Sequence, residues 1–78
     1  MMAEILHRID PARNMRRFYS LSVQPDLFGQ WSFIREWGRA GQGGQVRAAA
    51  FPTEEEARGA LIKQRQAKER RGYSCRGN

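Results

Sequence analysis

"REWGRAGQGGQVR", residues 35–47, sets one tryptophan, three arginines and four glycines within thirteen consecutive positions. How this stretch is read decides the fold. Glycines in such density belong either to a loop that cradles phosphate, after which a helix must begin, or to a hairpin, after which the chain returns as a strand. The P-loop pattern G-x-x-x-x-G-K-S/T is absent, and residues 45–51, QVRAAAF, read as a strand, although three alanines weaken that preference. Residues 40–45 are therefore a hairpin connection. On its other side, residues 30–39 (QWSFIREWGR) are rich in aromatic and β-branched side chains, which suit a pleated surface better than a helix. Unbroken pleating puts Trp31, Phe33, Arg35, Trp37 and Arg39 on one face and Ser32, Ile34, Glu36 and Gly38 on the other. By residue type, Trp31 is the packing tryptophan, and Trp37 is either a packed residue or a ring offered to a ligand.

Two more strands precede this hairpin. Residues 4–9 (EILHRI) are stopped by the turn-forming pair Asp10-Pro11. Residues 16–23 (RRFYSLSV) alternate with period two, Tyr19, Leu21 and Val23 inward and Ser20 and Ser22 outward, with Phe18 as the exception on the outward side. Gln24-Pro25-Asp26 opens a turn and Gly29 lets the chain reverse. After residue 51 the chain changes character. Thr53 and Glu56 form a capping box, which predicts a helix starting there. Ala57, Ala60, Leu61, Gln64 and Ala67 or Lys68 share a stripe that can pack on the sheet, while the basic end beyond Gln64 is expected to project into solvent or toward a partner. Gly72 is placed to end the helix, Tyr73 to fold back on the core, and residues 74–78 to fray. The expected class is α+β: a small antiparallel sheet, four strands or more, with one C-terminal helix across one face, forming a single domain over residues 1–73 and a flexible tail over 74–78.

Composition narrows the function. In a chain of 78 residues, folding buries only roughly 60 to 65% of the surface the unfolded chain exposes, so the core is small. Fourteen Lys and Arg against eight Asp and Glu leave a net charge of +6, and every basic residue except Lys63 and Lys68 is arginine. Guanidinium groups grip phosphate bidentately and stack on flat faces, so a polyanionic partner is expected. Cys75 is the only cysteine, which removes intramolecular disulfides and Cys/His zinc sites, and His7, the only histidine, has no Ser or Cys placed to be its nucleophile and reads as a structural or solvated residue. The acids do not pair: Asp10, Asp26 and Glu36 fall in different elements, and Glu54, Glu55 and Glu56 belong to the helix start. No enzyme, cofactor, metal or small-molecule substrate is expected. The N-terminal residues form neither a signal peptide nor a membrane span, which points to the cytoplasm. What remains is an aromatic and arginine surface, with Trp37 for stacking and Arg35, Arg39 and Arg47 for phosphate.

The same residues resemble a known family. Trp37-Gly38-Arg39 within REWGRAGQGGQV, preceded by NMRRFYSL and LFGQW and followed by a helix that begins TEEEA and ends RRGY, is similar to the WGR domain over residues 5–73. That resemblance implies a module found in DNA-dependent poly(ADP-ribose) polymerases and as small bacterial proteins, built as an antiparallel sheet with a helix across one face. It implies that Trp37 stacks near a terminal nucleotide at a DNA break and that basic residues hold the backbone. Arg39 becomes a contact residue, for DNA directly, for the sheet or for a protein partner. ADP-ribosyl transfer is not implied, because no residues here could bind the nucleotide substrate and perform it. Trp37, Gly38, Arg39, Arg35, Arg47, Arg70 and Arg71 are thus the expected nucleic-acid contacts of a non-enzymatic module for duplex DNA or its ends. The alternatives are a module that docks a separately encoded DNA-processing protein, or one that binds RNA.

Overall fold

A computed structural model of the chain describes residues 2–74. Four strands, β1 (Met2–Asp10), β2 (Met15–Pro25), β3 (Trp31–Arg39) and β4 (Gln45–Phe51), form one antiparallel meander in the order β1-β2-β3-β4. One helix, α1 (Glu54–Glu69), follows and lies across one face. The expected class and the predicted strands all appear, with β1 and β2 each longer than the sequence suggested. The outer ends of β1 and β2 gain length because cross-strand bonding carries pairing out to Met2 opposite Val23 and Asp10 opposite Met15.

Each connection has a local cause. Between β1 and β2, Pro11–Arg13 make one 3-10 turn, closed by Asn14, whose φ of 52° is tolerated by a short polar side chain. Between β2 and β3, one Asp26 carboxylate oxygen accepts the Phe28 and Gln30 amides at 2.8 and 2.9 Å, and Gly29 supplies a φ of 79°. The β3–β4 hairpin needs glycine for space. A Cβ on Gly38 would lie 2.9 Å from the Gly44 Cα, and one on Gly44 would run into the Trp37 carbonyl, so the two strands cross closer than side chains permit.

The helix begins as predicted. Thr53 Oγ1 accepts the Glu56 amide at 3.2 Å. The reciprocal bond differs from a standard capping box: the Glu56 carboxylate accepts the Thr53 hydroxyl at 3.0 Å instead of the Thr53 amide. At the far end, Tyr73 N–H donates to the Lys68 carbonyl and Gly72 N–H to that of Glu69, with Gly72 at φ 96°, a Schellman closure that turns Tyr73 back onto the sheet.

The core lies between helix and sheet: Leu6, Tyr19, Leu21, Val23 and Phe33 from the strands meet Ala57 and Leu61 from the helix, all buried. Trp31, Trp37, Phe51 and Tyr73 pack around its margin. Two expectations about the chain's end need correction. The helix end is exposed at Gln66, Glu69, Arg70 and Arg71, as expected, but its Lys68 side does not project away: Lys68 sits over the Tyr19 and Tyr73 rings, its ammonium 4.5 and 5.7 Å from their centroids, so a long cationic side chain supplies packing that the apolar stripe lacks. Ser74, expected to fray, instead exchanges both backbone hydrogen bonds with His7 on the outer edge of β1, each 2.9 Å. The rest of the predicted tail, with Cys75, lies outside the described residues.

Candidate nucleic-acid interface

The site grows from the register of β2, β3 and β4. Tyr19 pairs with Trp37, Leu21 with Arg35, and Arg35 in turn with Arg47. Period-two pleating then carries these side chains to the helix face. Directly opposed aromatics on neighbouring strands stack: the Tyr19 and Trp37 ring centroids are 5.6 Å apart with planes 13° from parallel. Tyr19 is buried and meets Tyr73 in a T-shaped contact at 6.1 Å, so Trp37 rests on an aromatic base built from two separate parts of the chain. Trp37 itself is half-buried.

Two clefts meet at Trp37. The first, about 400 Å³, is lined by Arg13, Asn14, Met15, Arg16 and Arg17 of the β1–β2 turn and early β2, by Trp37, Gly38 and Arg39 of β3, and by Tyr73. Here Arg39 Nη2 donates to the Asn14 carbonyl at 2.9 Å, tying the end of β3 to the β1–β2 turn. The second cleft, about 550 Å³, lies on the helix side and is lined by Tyr19, Arg35, Trp37 and Arg47 from the sheet and by Gln64, Ala67, Lys68 and Arg71 from α1 and its end. Arg35 reaches over Trp37, its guanidinium carbon 5.7 Å from the ring centroid. Gln64 Nε2 donates to the Tyr19 hydroxyl at 3.2 Å, closing the floor. Partial burial holds the Lys68 amine below the usual lysine value, and the neighbouring Arg71 and Arg35 charges push the same way.

The structure therefore brings Trp37, Gly38 and Arg39 to one cleft and Arg35, Arg47 and Arg71, again with Trp37, to the other. Arg70 lines neither and is exposed. Arg65, which the sequence places in the basic helix end, is occupied: its Nη1 bonds both oxygens of Glu4 at 2.9 and 3.2 Å in a largely shielded ion pair. Lys68, Gln64 and Tyr19 join the helix-side cleft in addition to the residues the sequence points to. The helical stripe through Gln64 and Lys68 held that information, since Arg71 lies seven positions after Gln64 and thus on the same side. Among the described residues, no group of three or more His, Cys, Asp or Glu side chains could hold a metal ion, and no helix is long and apolar enough to cross a membrane.

This sheet, helix and aromatic ridge coincide with a sequence family. The WGR domain family matches residues 2–78, and the chain belongs to it. WGR domains are in general nucleic-acid-binding modules, and no catalytic family is indicated. The chain is 41% identical over 71 residues to the uncharacterized protein y4dW of Sinorhizobium fredii (strain NBRC 101917 / NGR234); the match covers 91% of this chain and 35% of that protein, so the chain spans about a third of its relative's length. No solved structure matches.

Proposed function

We propose that the domain binds duplex DNA, with preference for its ends, through the Trp37 ridge and the arginines on either side. The observation that supports this reading is the position of one half-buried tryptophan, braced on Tyr19, at the junction of two clefts whose charged lining is entirely basic. A ring braced from below offers a terminal base or sugar a stacking surface, and guanidinium groups on both sides meet the phosphates that flank it. Gly38 serves this surface by letting the hairpin backbone close in beside Trp37, and Arg39 by fixing the β1–β2 turn while lining the cleft.

The test is a titration of the purified protein against a blunt duplex, a closed dumbbell without ends and a single strand, each at several salt concentrations. The blunt duplex should bind tightest, and its log affinity should fall against log salt with a slope of about -0.9 for each phosphate neutralised. Absent binding, or binding indifferent to salt, sinks the DNA reading and favours a module that docks a DNA-processing protein. Tightest binding to the single strand sinks the preference for duplex ends.

A further inference from the structure

The helix-side cleft carries a feature that the fold does not require. Arg35 and Arg47 are directly opposed on neighbouring strands, an arrangement of like charges that destabilises a sheet. Lys68 and Arg71, one helical turn apart, bring two more cations to the same cleft. No carboxylate lines it, and among the described residues none of these four side chains has an acidic partner. Lys68 and Arg71 suit the negative end of the helix dipole, which accounts for their presence on α1. That explanation does not reach Arg35 and Arg47, which stand on the sheet. Two other arginines in this protein, Arg13 and Arg65, do find acids, so the sequence does supply acids to arginines elsewhere. Around the helix-side cleft the other lining residues are Gln64, Tyr19, Trp37 and Ala67, none of them acidic. Four cations with no counter-charge, beside hydrogen-bonding and aromatic groups, have the composition of an anion site.

We infer that this cleft is a phosphate-binding subsite separate from the Trp37–Gly38–Arg39 cleft, and that it holds a backbone phosphodiester of one strand of the duplex while the other strand passes through the first cleft. This rests on the DNA reading above and adds to it that the domain straddles a duplex end, one strand on each side of the Trp37 ridge. The anion relieves the repulsion between Arg35 and Arg47, so occupancy of the cleft should stabilise the fold as well as bind DNA.

Two measurements test this. In the first, inorganic phosphate is titrated against the Tm of the wild-type protein, of Arg35→Gln/Arg47→Gln, and of Arg58→Gln/Lys63→Gln, a charge-matched control at exposed helix positions outside this cleft. Phosphate should raise the Tm of the wild type and the control and leave the Arg35/Arg47 variant unmoved. Without phosphate at low salt, that variant should melt no lower than wild type. In the second, the salt slope for a blunt duplex is compared for the same proteins, with methylphosphonate linkages replacing the phosphodiesters nearest the end in one strand or the other. Arg35→Gln/Arg47→Gln should lower the slope by about 1 to 2 units and become insensitive to neutralising one particular strand while staying sensitive to the other. Equal strand sensitivity in variant and wild type, or a phosphate-dependent Tm rise that survives the variant, overturns the subsite. Duplex binding with neither effect overturns the subsite and keeps the DNA reading. Phosphate protection that depends on Arg35 and Arg47 in a protein that binds no duplex overturns the DNA reading and leaves an anion site.

Discussion

Replacing Trp37 separates a packing role from a stacking role, provided the replacement is chosen from the structure. A tryptophan buries about 150 to 250 Å² when fully covered, and Trp37, mostly covered, hides about 100 to 200 Å² of that, worth roughly 2.5 to 5 kcal/mol at about 25 cal/mol per Å². The stack on Tyr19 adds about 0.5 to 1.5 kcal/mol. Truncation to alanine therefore costs about 3 to 5 kcal/mol, a large share of the roughly 4 to 12 kcal/mol expected for a chain of this size. Such a variant confounds binding with unfolding. Trp37→Leu keeps most of the apolar cover and loses the flat ring, so its stability should fall by only about 1 to 2 kcal/mol. If the ring stacks on a terminal nucleotide, worth about 1 to 3 kcal/mol, affinity for a duplex with one open end should drop roughly 5- to 150-fold. Affinity for a closed dumbbell should change little. Chemical denaturation and fluorescence anisotropy on the same preparations supply both numbers. A folded Trp37→Leu protein that discriminates open from closed ends as well as wild type would refute the stacking role, whatever its stability.

Three further outcomes are expected. Gly38→Ala should cost about 1 to 3 kcal/mol, because its Cβ would press on the Gly44 backbone, whereas Gly43→Ala, which meets nothing within 4 Å, should be close to neutral; equal melting temperatures would refute the close-approach account. Arg71→Glu should weaken duplex binding more than Arg70→Glu, since only Arg71 lines a cleft, with both variants within about 0.5 kcal/mol of wild-type stability; equal losses of affinity would show that the helix end acts only through net charge. The folded Lys68 amine titrates below the unfolded value of 10.5, so between those two pKa values the unfolded chain binds more protons and stability rises with pH. Lys68→Met should flatten that rise relative to wild type, and superimposable stability curves would remove Lys68 from the account.

Most of the fold was legible in the sequence because its signals are local. Period-two alternation marked β2, glycine density marked the β3–β4 hairpin, and Thr53 with Glu56 marked the helix start. The packing at the end of the helix is hidden from the sequence for a definite reason. A stripe that counts only apolar residues stops at Ala67, yet Lys68 continues the packing by laying its ammonium over two aromatic rings that lie 49 and 5 positions away in the chain. Ser74 looked free because its partner, His7, sits near the other terminus, and a single residue added to a sheet edge has no periodicity to detect. The site divided along the same line. Arg35, Trp37 and Arg39 could be placed on one face from pleating alone, but their division between two clefts depends on where α1 crosses the sheet. Arg65 and Arg70 illustrate the limit of reading charge without that crossing: one is paired with Glu4 and the other lines neither cleft.

The Trp37-Gly38-Arg39 tripeptide does more than present three contacts. Gly38 has no side chain to offer a ligand, and its place is set by the Gly44 backbone 2.9 Å from where a Cβ would be. Arg39 uses one of its five N–H donors on the Asn14 carbonyl. That bond fixes a long flexible side chain that would otherwise lose up to about 2 kcal/mol of rotamer entropy on meeting a phosphate, so part of the ordering is complete before binding. It also joins the end of β3 to the β1–β2 turn that carries Arg13, Arg16 and Arg17, so these arginines and Trp37 are held in one frame. Trp37 is braced in the same manner by Tyr19, and Tyr19 by Tyr73 and Gln64. A small domain with little core has thus placed its rigidity at the ridge. In the proposed recognition of a duplex end by a few contacts, order at this ridge determines affinity more directly than added stability anywhere else in the fold.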